Sequence, residues 1–214
     1  MKEINIGYFK YFGNQEINKI KKKFEEENAG YLLNLHALSH DYLYHELNEK
    51  KILLALTDPR DDDLAKYQVY PVISAGIMAI LQKGNFMSGQ QTIELNDLSK
   101  IPDILIAKTD DEQSELHFHK DILKIKSPFI AVENVNEASL MAESGSGFFI
   151  MNELTANLLK NKDKLQQLFL LKNGKQLRQD YVLLHQKDEQ QNQVLQKLVT
   201  MISSEFKKII SCEQ

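Results

Sequence analysis

The chain has 214 residues, 43% of them hydrophobic and 26% charged, an ordinary globular balance that can bury a sizeable core and excludes a disordered chain. A formal net charge of −4 and a pI near 5.9 exclude a basic face that grips nucleic acid on these residues, though not a separate DNA-binding module attached to them. One cysteine, Cys212, rules out an intramolecular disulfide, and no run approaches the ~20 apolar residues that span a bilayer.

Ile4 to Phe9 reads as a strand, and the turn Lys10-Tyr11-Phe12-Gly13-Asn14 opens a helix in which Ile17, Ile20 and Phe24 make one apolar stripe. The other face, Lys19 to Glu27, is a solvated charge run, and Gly30 suits the stop. Tyr31 to His36 is a second strand, and Ser39 is placed to cap a helix from His40 to Lys50 with Leu43 and Leu47 inward. Ile52 to Leu56 is a short continuous apolar run, as expected of a strand covered on both faces. It ends in the loop Thr57-Asp58-Pro59-Arg60, followed by an acidic, exposed connection from Asp61 to Asp63.

A new unit follows. Tyr67–Ile73 and Ala75–Leu81 read as two strands, Leu95–Lys100 as a short helical piece, Asp103–Ala107 as a buried strand, and a helix is expected from about Asp111. Pro128–Glu133 is a strand, Asn134-Val135-Asn136 caps a helix ended by Gly145-Ser146-Gly147, and Phe148–Met151 is a strand. Leu165–Leu171 and Tyr181–His185 are two more, separated by the turn Asn173-Gly174-Lys175. The last helix is expected to be capped by Asp188 with Gln191 in capping-box spacing, and it aligns Leu195, Leu198, Val199, Ile202, Phe206 and Ile209. The organisation is α/β in two lobes, residues 1–82 with a returning helix at 187–214, and residues 83–186, joined by two hinge crossings around a cleft.

In this order and spacing the sequence resembles the effector-binding domain of LysR-type transcriptional regulators over nearly its whole length. Ile4-Asn5-Ile6-Gly7-Tyr8 looks like that family's first strand, and Ile17 to Asn28 like its first helix. Leu47–Leu56 resembles its "L-x-x-G-x-L-D-L-A-I" segment. Glu137–Ile150 resembles "E-A-L-x-x-x-V-A-A-G-L-G-I-A", with Ala138, Gly145, Gly147 and Ile150 matching, and Leu165–Leu184 resembles the paired strands before the last helix. Leu53 replaces the acidic residue of the third segment, and Asn152 replaces a proline. The resemblance implies a type II periplasmic-binding-protein fold, an effector between the lobes, and a winged-helix DNA-binding domain that is absent from these residues. It also implies an antiparallel homodimer using Ile17–Glu27 and Tyr31–His36 of one subunit against Asn136–Glu143 of the other.

Small ligands of open α/β sheets bind at the carboxyl ends of parallel strands, where helix amides point outward. The residues expected to contact an effector are therefore Lys10, Tyr11, Phe12, Gly13, Asn14, Ser39, His40, Thr57, Asp58 and Arg60 in the first lobe. In the second they are Lys108, Thr109, Asn134 and Asn136, backed by Gly147 and Phe148. Lys10, Arg60 and Lys108 are candidate partners for a carboxylate, so the expected effector is anionic or polar. Ser39, Asn134 and Asn136 serve equally well as helix caps, and any of the three cations as a solvated surface charge. His117-Phe118-His119 has ligand-like spacing on a strand, but no cysteine or carboxylate pair completes a metal set. Neither a nucleophile elbow nor a phosphate loop is present, so no catalysis and no cofactor are expected. With no signal segment, a cytoplasmic location is expected. A solute receptor of a transporter, or an enzyme on the same fold, are the alternatives.

Overall fold

The computed structural model describes residues 1–84, 89–160, 163–189 and 192–212, with side chains described as far as Lys208. The chain forms two compact units, Met1–Ser74 with Asp180–Gln214, and Ala75–Gln179. Among the described residues, no helix is long and apolar enough to cross a membrane.

The first unit opens with strand β1 (Lys2–Phe9), helix α1 (Asn14–Glu27), β2 (Tyr31–Leu38), α2 (His40–Asn48) and β3 (Leu54–Thr57). β1 pairs in parallel with β2 on one side and β3 on the other. Alternate residues of β1 face opposite layers. A Cβ on Gly7 would come within 2.6 Å of Leu43 and Ile52, so that face lies tight against α2. On the other face the Tyr8 hydroxyl donates to Asn14 Oδ1 of α1. The apolar stripe of α1, Ile17, Ile20 and Phe24, is buried as its spacing requires.

The first unit leaves through β4 (Tyr67–Gln82). Sequence periodicity divides this stretch in two, whereas the structure has one strand of 16 residues, since no proline or turn interrupts the ladder after Pro71. The boundary at Ser74–Ala75 therefore falls inside a strand, earlier than the crossing expected at 81–84.

The second unit adds β5 (Thr92–Glu94), β6 (Asp103–Ile106), α3 (Glu112–His117) continued by a wider turn over Phe118–Ile122, and β7 (Phe129–Val132). Then come α4 (Val135–Glu143), β8 (Phe149–Asn152), α5 (Glu153–Ala156), β9 (Leu165–Lys172) and β10 (Lys175–Gln176). β5, α5 and β10 are too short for periodicity to reveal. β4 runs antiparallel to β8 and β9 here, and its alternation divides the core. Ile77, Ala79 and Leu81 pack with Phe118, Phe148, Leu168 and Leu170. Met78 and Ile80 pack with Ile104, Ala138, Ala142 and Phe149. A strand buried on both faces reads as a continuous apolar run, as β4 does. His117 and His119 lie in helical turns rather than on a strand. His117 is exposed beside Asp121, while His119 is buried with its Nδ1 2.8 Å from Asp103 Oδ2.

The chain returns through β11 (Arg178–Gln186), which pairs antiparallel with β3, and ends in α6 (Gln193–Cys212). This crossing too lies inside a strand, at Gln179–Asp180, rather than at 185–189. Asn192 caps α6, its Oδ1 accepting from the Leu195 amide at 3.2 Å. Asp188, the expected cap, instead pairs with Lys50 at 2.5 Å in the preceding turn. The Gln191 of the expected capping box and the side chain of Ile209 lie outside the described residues. Leu195, Leu198, Ile202 and Phe206 are buried in the first unit.

Gly147 illustrates how tightly the second unit is closed. A Cβ there would sit 2.4 Å from the Pro102 carbonyl oxygen, against backbone that cannot swing aside. Gly147→Ala is expected to cost about 1–3 kcal/mol or more, as overpacking does. Urea denaturation of the variant beside the parent protein measures this.

Candidate functional site

In the first unit the register sets Phe9 beside Leu38, and Tyr8 beside Leu56. The parallel pairing therefore brings the ends of β1, β2 and β3 side by side, and three predicted segments with them. Lys10–Asn14, Ser39–His40 and Thr57–Arg60 share one edge. In the first of these, two residues build the turn rather than face outward. Phe12 is 1% exposed, with its ring 3.5 Å from that of Tyr181 and 5.3 Å from that of Phe206. Gly13 takes φ 75°, and a Cβ on it would meet the Phe206 ring at 2.9 Å. Asn14 is held by the Tyr8 hydroxyl. Lys10 and Tyr11 stay partly exposed, the ammonium 4.9 Å from the Tyr11 ring centre.

Ser39 occupies the N-cap position of α2 without bonding to the helix amides. Its Oγ is buried and has no hydrogen-bond partner among the described residues. Such a group normally costs about 1–3 kcal/mol. Thr57 is fully buried, and among the described residues its hydroxyl makes only a long 3.4 Å bond to the Asp58 carbonyl.

Beside these hydroxyls lies a charged group that sequence reasoning took apart. Arg60 was expected to be a surface charge or a clamp for an incoming carboxylate. Its side chain is 2% exposed, and its Nε donates at 2.9 Å to Asp58 Oδ2, itself 2% exposed. His40 is equally buried. Its Nε2 lies 3.1 Å from both the Asp58 carbonyl and Asp62 Oδ2, and its Nδ1 lies 3.3 Å from Asp41. Asp62 was read as part of an exposed connection. Loss of solvation pushes its carboxyl above the usual range, aided by Asp61 and Asp41 and opposed by His40 and Arg60. Burial, followed by the Asp62 and Asp58 charges, drives the Tyr44 hydroxyl well above its ordinary value.

The second unit, taken by itself, has a corresponding edge. β6 and β7 are parallel with Ile106 beside Val132, so exposed Lys108 and Thr109 lie near Asn134 and Asn136. Asn134 Oδ1 accepts from the Glu137 amide at 3.1 Å, and Glu137 Oε2 accepts from the Glu133 amide at 3.0 Å. Asn134 thus caps α4, and the Glu137 carboxylate binds the chain just before the helix. Gly147 and Phe148 lie elsewhere. Phe148 is fully buried, bonded to Pro102 and Ile104 at the start of β6, the opposite end from Lys108. Because β8 runs parallel to β6, its last residue, Asn152, belongs with the carboxyl ends. It caps α5 by accepting from Thr155. The next residue, Glu153, accepts from the Gly76 amide at 2.6 Å and lies 3.8 Å from Arg178, tying together the ends of β4 and β11 that belong to this unit.

A cavity of about 380 Å³ opens at the other end of the first unit's sheet, among Lys2, Asn5, Lys50, Leu53, Gln186 and Asn192. It is at the amino ends of β1 and β3, away from the convergent loops, and Lys50 is already paired with Asp188. Among the described residues no three His, Cys, Asp or Glu side chains gather as a metal site.

The raised Asp62 carboxyl gives a sign to test. Between the unfolded carboxylate's ordinary pKa and the higher folded one, the folded state holds the extra proton, so Asp62 favours folding less as pH rises. The stability of the parent protein minus that of Asp62→Asn is expected to fall as pH increases through this window and to level off above it. Urea titrations at a series of pH values read the difference.

No protein-family model matches the sequence, and no curated protein matches it. Solved structures do. The chain overlays a LysR-family transcriptional regulator from Pseudomonas aeruginosa at 18% identity and TM-score 0.73, covering 95% of this chain and 71% of that one. It overlays the regulatory domain of MetR, a LysR-family regulator from N. meningitidis, at 12% identity and TM-score 0.75, covering 95% and 93%. It overlays the oxidised form of OxyR at 11% identity and TM-score 0.75, covering 97% of each chain. The chain therefore has the two-lobed, periplasmic-binding-protein-like fold of LysR regulatory domains.

Proposed function

We propose that this chain is the small-molecule-sensing domain of a bacterial LysR-type transcription regulator, with the effector held at the carboxyl ends of β1, β2 and β3. The observation that carries this reading is the Ser39 hydroxyl, buried without a partner among the described residues where three parallel strands end together. Thr57 supplies a second under-used hydroxyl. Lys10, Tyr11 and His40 flank them, and Phe12, Gly13 and Asn14 fix the turn. In the second unit, Lys108, Thr109, Asn134 and Asn136 are the proposed contacts, while Gly147 and Phe148, at the other end of β6, are core rather than contacts. The likeness to regulatory domains supports the sensing role, with DNA contacted through a separate winged-helix module and no turnover of the effector.

A sensor responds only as far as its ligand prefers one arrangement over another. Here the proposed response is a change in lobe closure or dimer packing. Exposed apolar residues on the second unit, Leu140 on α4 and Phe129 and Ile130 on β7, support a homodimer that covers them.

A thermal-shift screen of small polar metabolites against the parent protein and Ser39→Ala tests the reading. A ligand at 100 times its dissociation constant adds about 2.7 kcal/mol. Loss of one hydrogen bond at Ser39 is expected to weaken it about tenfold. Ligands that stabilise both proteins equally, or that are consumed, would count against it.

A further inference from the structure

We infer that the effector of this site is a hydrogen-bond donor bearing positive charge, an ammonium or guanidinium compound, because the arginine at the edge of the first unit is buried against Asp58 while the Asp62 carboxylate stays half-exposed beside hydroxyls that are little used. This rests on the reading that the effector binds at that edge.

The arginine there is not available to a ligand carboxylate. Arg60 is buried against the buried carboxylate of Asp58 at 2.9 Å. A ligand anion that took the guanidinium would leave Asp58 without its counter-charge in a site nearly closed to solvent, which is strongly unfavourable. His40 is likewise enclosed, with Asp62 and the Asp58 carbonyl at one ring nitrogen and Asp41 at the other. Lys10 is the remaining base in the three loops, its ammonium 4.9 Å from the Tyr11 ring centre, and the stretch Asp61 to Asp63 carries three carboxylates.

The acceptors tell the complementary story. Asp62 is the half-exposed carboxylate of the group, short of solvation. Ser39, the residue before His40, keeps its buried oxygen without a partner among the described residues. The Thr57 hydroxyl, donating weakly to the Asp58 carbonyl, retains lone pairs. A donor-rich cation satisfies such groups, and charge-assisted bonds to a carboxylate are the stronger kind. A carboxylate effector would accept from the Ser39 hydroxyl but meet like charge at Asp62.

Three probes of equal chain length separate the cases: 1,4-diaminobutane, 1,4-butanediol and succinate, each titrated at low salt while the amide resonances of Ser39, His40 and Thr57 are followed. The diamine is expected to shift these resonances, more weakly as salt is raised. Asp62→Asn is expected to lower its affinity about tenfold. Ser39→Ala tests the site itself, since it should weaken whichever probe binds. If succinate shifts the edge and the diamine does not, the charge inference fails while the site reading stands. If the diamine binds with affinity unchanged in both variants, or if no probe at millimolar concentration moves these resonances, the inference is overturned.

Discussion

Everything proposed for this molecule depends on the parallel pairing of β1 with two neighbours at once. Parallel strands separated in sequence by helices must all end at the same edge, and the loops that leave them have nowhere else to converge. The turn after β1 is then held from below by aromatic stacking, with Phe12 between Tyr181 and Phe206. Those two residues arrive from β11 and α6, more than a hundred positions later in the chain. The returning segment thus completes the helical layer of the first unit and also fixes the turn nearest the proposed ligand.

The second consequence is electrostatic. Loops crowded at one edge lose solvent, so their charges must be answered locally or shift their titration. Arg60 with Asp58, and His40 with Asp62, are such answers. The second unit, considered alone, caps α4 with Asn134, which takes the Glu137 amide, and sets the Glu137 carboxylate on the Glu133 amide just before the helix. An anionic effector was the natural expectation from two scarce arginines in a sequence, and the packing of one of them points the other way.

How much of this was legible beforehand follows from which forces are local. The longer strands and helices of both units, β4 apart, were readable, because amphipathic spacing at Ile17, Ile20 and Phe24, or a doubly buried run such as Leu54–Thr57, records burial directly. The convergence of the three loops was readable from strand order. The roles of individual loop residues were not. Phe12 looks like an exposed turn aromatic in sequence, and only tertiary packing makes it core. Asp61–Asp63 looks like a solvated run, yet Asp62 turns in towards His40. The true cap of α6 lies at Asn192, because the chain first makes a short turn that uses Asp188 for Lys50. β4 hid its continuity because alternation and unit boundary coincide near Ser74. Asn152 and Glu153 lie at the carboxyl ends because β8 runs parallel to β6, a tertiary relation that no local spacing records.

The central claim is the place of binding. Amide hydrogen exchange on this chain, with and without a metabolite that raises its melting temperature, tests it most directly. The account predicts that in the first unit the added protection is concentrated in Lys10–Asn14, Ser39–His40 and Thr57–Arg60. Protection concentrated instead around Lys2, Lys50 and Asn192, at the cavity on the amino ends of the same strands, would contradict it.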